Sequence, residues 1–173
     1  MKIYNNIIDF FYCRCQEYSN NTFIKNHDGI SYTYKDIKEI TSDTYHFLKK
    51  HELKADDKVS IILPNIPEYI PLLLGVLSYG GIAVNLNINF TPDEFKIRLA
   101  DAEVSMVILT PELFDKIKDV LNELSIQKIL IVSNNSNSGN FVYNMNAIRE
   151  ENFSAEVIIP EYDTSKIAFL QYT

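Results

Sequence analysis

The chain has 173 residues, of which 46% are hydrophobic, 12% aromatic and 23% charged, the composition of an ordinary globular domain of common size. Sixteen Lys+Arg against 23 Asp+Glu leave a net charge of −7, which removes the electrostatic footprint of a general nucleic-acid or anionic-membrane binder. The two cysteines, Cys13 and Cys15, are too close in sequence for an unstrained mutual disulfide and too few for a thiolate metal site, so a reducing, cytoplasmic compartment fits best.

The first residues, Met1 to Phe10, carry one base and an apolar stretch interrupted by Asn and Asp, which does not read as a signal peptide. Cys13 and Cys15 belong to a first helix as small, half-buried side chains. Thr22 to Thr33 reads as two short strands joined at Asp28-Gly29, a dipeptide that supplies the positive φ angles of a tight hairpin. A helix follows, capped by Thr33 with Asp36, with Ile37, Ile40, Thr44, Phe47 and Leu48 on one face up to the polar loop at Lys54-Ala55-Asp56-Asp57.

From there the pattern changes to apolar, β-branched runs starting near Val59, Ile82, Val104 and Lys128. Runs with little polar alternation are buried on both faces. A repeat of roughly 22 to 24 residues leaves room for one helix per crossover, so the fold class is α/β, a parallel sheet of βαβ units flanked by helices and preceded by the hairpin and helix. Tyr69 to Thr91 contains no charge, but Pro71 and Gly80-Gly81 break it into a short buried helix and a strand rather than a transmembrane span. Asn65 is positioned to cap that helix and Gly80 to end it in the left-handed conformation, while Pro71 implies a kink or a delayed start. Thr91-Pro92-Asp93-Glu94 has the features of a capping box, and Thr110-Pro111-Glu112 repeats the cue. Ser133 to Asn140 reads as a surface loop. The segment from Lys166 to Thr173 reads as another buried strand, giving five strands near 59, 82, 104, 128 and 167.

Candidate chemistry is sparse. His27, His46 and His51 fall in the hairpin loop and near the exposed end of a helix, and no Ser, Cys or acid stands at a spacing that defines a triad or a zinc site. Asp56-Asp57, Asp93-Glu94 and Glu150-Glu151 lie in loops or first helical turns, where solvation and the helix dipole account for them. The glycines, Gly29, Gly75, Gly80, Gly81 and Gly139, form neither a dinucleotide fingerprint nor a Walker-type loop. No catalytic residue and no metal ligand is assigned on these grounds.

Several segments in a familiar order take the reading further. Ile30-Ser31-Tyr32-Thr33-Tyr34, Asp56-Asp57-Lys58-Val59, Leu63-Pro64-Asn65-Ile66-Pro67-Glu68-Tyr69, Gly75 to Asn87, and Phe90-Thr91-Pro92-Asp93-Glu94-Phe95 resemble the N-terminal region of AMP-forming acyl-CoA synthetases, the adenylate-forming superfamily. The resemblance covers nearly the whole chain, with two departures: Asp56 where Gly is common, and Pro71 inside a helix usually free of it. Lys166 to Thr173 is similar to the strand that, in this family, runs into a Ser/Thr/Gly-rich phosphate loop, of which Thr173 would be the first residue and the one nucleotide-binding candidate here. The resemblance implies a partial adenylation domain over residues 1–173, with an N-terminal helix, hairpin and helix in 1–54 and a parallel α/β subdomain in 55–173. It implies ATP, Mg²⁺ and CoA for the whole enzyme, a fatty or other carboxylic acid as substrate, and a fragment that is inactive and binds none of them tightly by itself. Residues 84–87 followed by 90–95 look more like fatty acyl-CoA ligases than amino-acid adenylation domains. The open alternatives are an amino-acid or aryl-acid adenylation fragment, a non-catalytic α/β interaction module, and a small flavodoxin-like domain. In the family, the hairpin and helix of residues 22–50 pack beside a downstream sheet, so Phe23, Tyr32, Ile40 and Phe47 are expected to be exposed here.

Overall fold

A computed structural model describes residues 4, 6–26, 29–133, 142–144, 157 and 165–172. The elements in chain order are α1 (Ile7–Glu17), β1 (Thr22–Lys25), β2 (Ser31–Thr33), α2 (Tyr34–Lys50), β3 (Lys58–Ile62), α3 (Tyr69–Tyr79), β4 (Ile82–Asn85), α4 (Pro92–Asp101), β5 (Val104–Leu109), α5 (Pro111–Glu123), β6 (Lys128–Ile131), β7 (Val142–Asn144) and β8 (Phe169–Gln171).

Strands β3 to β8 form one sheet in the order β7-β6-β5-β3-β4-β8, and every pair in it is parallel. Leaving β8 aside, β4-β3-β5-β6-β7 is the 2-1-3-4-5 order of a doubly wound sheet. Alternate residues of β3, β4, β5 and β6 enter opposite cores. Val59, Ile61, Ala83, Met106, Ile108 and Leu130 pack with Phe47, Leu48, Leu72 and Val76 of α2 and α3. On the other face, Ile62, Val84, Val107, Leu109 and Ile129 pack with Phe95, Leu99, Leu113, Ile117 and Leu121 of α4 and α5. Each such side chain, when fully buried, contributes about 1.5–3 kcal/mol of hydrophobic stabilisation. A third cluster joins Ile8, Phe11 and Cys15 of α1 to Ile37 of α2 and Leu74 of α3.

The strand starts and most helix boundaries follow the local signals. Thr33 and Asp36 close a capping box on α2, and Thr91 and Glu94 close one on α4, with Pro92 at its first position. Gly80 ends α3 at φ 90°. Pro71 is the third residue of α3, within the first turn, where its missing N–H has no intrahelical acceptor to lose; the helix starts late instead of kinking.

Five expectations are corrected. Asn65 does not cap α3: the N-cap position is Glu68, without a side-chain cap bond, because Pro67 and Pro71 delay the first turn and burial rather than capping holds the helix. The hairpin closes more widely than a two-residue turn: Lys25 pairs with Ser31, and Asn26 bridges the loop by accepting from the Ile30 N–H through its side chain at 2.9 Å; Gly29 has φ 84°, while Asp28 lies outside the described residues. Ile40 and Phe47 are 4% and 1% exposed, because α2 lies on α3 and closes this chain's own core; Phe23 and Tyr32 are half-buried. The last strand is shorter than expected and exposed rather than buried, with only Leu170 of its three residues half-buried, because β8 is an edge of the sheet. A sixth strand, β7, pairs with β6 and was absent from the five expected. Most of the loop expected over 133–140 lies outside the described residues.

Candidate functional site

A doubly wound sheet offers its crevice at the carboxyl ends of the strands, where the chain leaves neighbouring strands toward opposite faces. Here that rim consists of Leu63 to Glu68 after β3, Leu86 to Thr91 after β4, Thr110 after β5, Val132-Ser133 after β6 and Tyr172 after β8. After β3, Pro64 accepts from the Ile66 N–H at 2.8 Å and Ile66 from the Tyr69 N–H at 3.1 Å. Tyr32 of the hairpin donates to Glu68 Oε1 at 3.2 Å, which ties the small sheet to this turn.

The turn after β4 is held from a distance. Asn87 accepts from the Asn89 N–H through its side chain at 2.9 Å and from the Phe90 N–H through its carbonyl at 3.2 Å. Lys116 of α5 donates to the carbonyl of Phe90 at 2.7 Å, and the Arg98 guanidinium lies 4.0 Å from the centre of the Phe90 ring, a cation–π contact. Neither cation stands at a spacing from residues 87–90 that sequence patterns detect, so both were missed.

Strand β8 lies along β4, with Ala83, Val84 and Asn85 opposite Phe169, Leu170 and Gln171. Two polar tethers flank it. Before the strand, Lys166 Nζ meets Asp56 Oδ2 at 2.7 Å; after it, Tyr172 donates its hydroxyl to Asp101 Oδ2 at 2.5 Å. The bond to Asp101 pushes the Tyr172 hydroxyl up to about 12. The candidate Thr173 itself lies outside the described residues.

The other candidates resolve into structural roles. Cys15 is 3% exposed, and burial pushes its thiol up to about 11 against the opposing charge of Lys38, so it is protonated at neutral pH and inert as a nucleophile. Cys13 is half-buried and, like Cys15, not in a disulfide. His46 is 6% exposed, not at an exposed helix end as expected, because α2 is buried against α3 over its last two turns. The His51 ring lies tilted by 52° beside that of Phe47, with centroids 4.4 Å apart, and His27 lies outside the described residues. Asp57 accepts from the Lys54 N–H at 2.8 Å. Bonds from the backbone and hydroxyl of Thr91 hold the Glu94 carboxyl below its usual range. Glu150-Glu151 lies outside the described residues. Among the described residues, no three of His, Cys, Asp and Glu come together as a metal site, and no helix is long and apolar enough to cross a membrane.

Comparison with known proteins then decides the family. Residues 11–173 match the model of the AMP-binding enzyme family. The chain belongs to that family. It is 34% identical over 105 residues to a long-chain-fatty-acid–CoA ligase of Bacillus subtilis, covering 61% of this chain and 19% of that protein. It is 30% identical over 142 residues to an acetyl-coenzyme A synthetase of the same organism, covering 80% of this chain and 24% of the relative. The crystal structure of coronafacic acid ligase from Pectobacterium brasiliense superposes with a TM-score of 0.85 at 20% identity, over 96% of this chain and 33% of that one. The chain thus spans about a third or less of the length of the curated relatives it matches, and it shares its fold with part of a longer chain.

Proposed function

We propose that this chain is the N-terminal part of an adenylate-forming carboxylic acid ligase, which joins a carboxylate to the α-phosphate of ATP with release of pyrophosphate and passes the acyl group to a thiol such as that of CoA. The observation that carries the reading is the family match running through β8 to the last residue. Residues 1–173 then form one partial adenylation domain, divided in sequence into 1–54 and 55–173 and joined in space by the core that α2 shares with α3. Thr173 begins the phosphate loop, which would offer hydroxyls and closely approaching backbone N–H groups to the ATP phosphates.

A fatty acid is the substrate class we favour. Residues 84–87 and 90–95 support it, as does the similarity to a long-chain-fatty-acid–CoA ligase. The similarity to an acetyl-coenzyme A synthetase makes a short acid the second reading. Mg²⁺ would offset phosphate charge in such a reaction. Two cysteines that are both in the thiol form support a cytoplasmic location.

The test is to read the gene past the codon for Thr173 and to assay the longest encoded protein, from Met1, for pyrophosphate release with a panel of carboxylic acids. We expect release that depends on the acid and is greatest with fatty acids, and none from the 173 residues alone. ATP-dependent thioester formation by the 173-residue chain, or a longer product without acid-dependent release, would overturn the proposal.

A further inference from the structure

Strand β8 is the most weakly embedded strand whose side chains are described. Phe169 is 39% exposed, and Ile167 before it 60%; only Leu170 and Tyr172 reach the core on the α4 side. Backbone pairing to β4 fixes its direction, but three paired residues leave register open to slippage. Register matters because whatever follows Tyr172 leaves the sheet from the position that β8 takes.

The geometry points to Asp101 and Tyr172 as a clamp that fixes the carboxyl end of β8. Asp101 is the last residue of α4, and α4 is itself anchored by Phe95 and Leu99, which are 0% and 1% exposed. Its carboxylate is therefore presented from a rigid element. The 2.5 Å bond from the Tyr172 hydroxyl is charge-assisted, the kind that is both short and directional. Tyr172 adds ring burial beside Leu170, so the clamp sets position through the hydroxyl and depth through the ring. A slip of one residue would turn Tyr172 to the opposite face, away from Asp101. The Lys166–Asp56 pair at the other end of β8 is a second stop on the same register. Both tethers span long stretches of chain, so they form only when the sheet is assembled.

This inference rests on the reading that the phosphate loop begins at Thr173. The pair then consists of positioning residues for ATP and does not touch it. Tyr172→Phe, Asp101→Ala, Asp101→Asn and the Phe/Ala double variant would be made in the longest protein encoded from Met1. Removing the bond should raise the KM for ATP about three- to tenfold, the range that one net hydrogen bond spans, while the KM for the carboxylate is unchanged. The double variant should be no worse than either single one, because the two residues share one bond. Asp101→Asn, which still offers an oxygen acceptor, should recover much of the loss. Unchanged KM for ATP, or an equal rise in both KM values, overturns the clamp while leaving the functional reading intact. A parent protein that releases no pyrophosphate overturns both. Independently of catalysis, amide exchange in the 173-residue chain should quicken at Phe169 to Tyr172 in Tyr172→Phe and Asp101→Ala, with Met106 to Leu109 as protected as before. Unaltered exchange at β8 also overturns the clamp.

Discussion

Gly75 shows how a single residue sets the spacing of two helices. A Cβ placed there would lie 2.4 Å from Thr44 Cβ, 2.5 Å from Thr44 Cγ2 and 3.1 Å from the Thr41 carbonyl, so α2 and α3 touch backbone to side chain. Gly75→Ala gains about 1 kcal/mol of helix propensity, yet the clash is with atoms fixed to the α2 backbone, and overpacking costs about 1–3 kcal/mol. We expect net destabilisation in urea unfolding, with Thr44→Ala giving no rescue because the nearest atom is Cβ, and Thr44→Gly restoring part of the loss. A Gly75→Ala protein as stable as the parent would mean that the helices are not in this contact. Asp56 is explained at the same scale. It takes φ 68°, the left-handed conformation that glycine adopts freely and Asp tolerates better than most residues. In that conformation its carboxylate meets Lys166 Nζ at 2.7 Å. Neither role could be read from the sequence, since Gly75 and Thr44 are far apart along the chain and a lone Asp carries no φ signal.

Elements whose ends are closed by neighbours three residues away were legible, and those held by distant packing were not. The capping box of α4 joins Thr91 to the Glu94 N–H at 3.3 Å, and Glu94 to the Thr91 N–H at 2.8 Å. Thr91→Ala should cost about 1 kcal/mol. The Glu94 carboxyl should titrate somewhat closer to its usual range in that variant, because the leading cause of its depression, the bond from the residue 91 N–H, remains while the second, from the Thr91 hydroxyl, is lost; an NMR titration of Glu94 checks this, and an unmoved midpoint would count against the hydroxyl's part in the box. The sign is that of a depressed acid: whatever stability the box links to protonation is present above the unfolded pKa and lost as pH falls through the folded one. Helix α3 has no side-chain cap and no acid in its first turn, so it depends on Leu72, Leu74 and Val76, which are at most 7% exposed. Strand β8 was legible as a strand from its apolar residues, but its place at the edge was not. Exposure depends on what lies alongside, and the same run in a central position would be buried.

For the molecule as a whole, alkali should be the revealing stress. Burial pushes Tyr12 up to about 12 from 10.0 and Cys15 up to about 11 from 9.0, and Tyr172 rises to about 12 through Asp101. In each case the folded state holds its proton more tightly than the unfolded chain. The associated stability is complete below about pH 9 and declines as pH rises toward 12. Urea midpoints should be level near pH 8 and fall from pH 9 to pH 11, and Tyr12→Phe should flatten part of that slope; a midpoint independent of pH across this range would contradict the burial of these groups. The sequence alone determined the alternation of strands and helices, the parallel sheet, the capped helix starts and the family, because these are written in apolar periodicity, in contacts within one helical turn and in the order of short segments. Only the tertiary structure decided that α2 buries Ile40 and Phe47, that β8 is an exposed edge beside β4, that Lys116 and Asp101 hold the turn after β4 and the carboxyl end of β8, and that Lys166 holds the other end of β8. Those outcomes depend on which surfaces meet after the chain has crossed the sheet, and contacts between residues 26 to 110 positions apart leave no mark in local pattern.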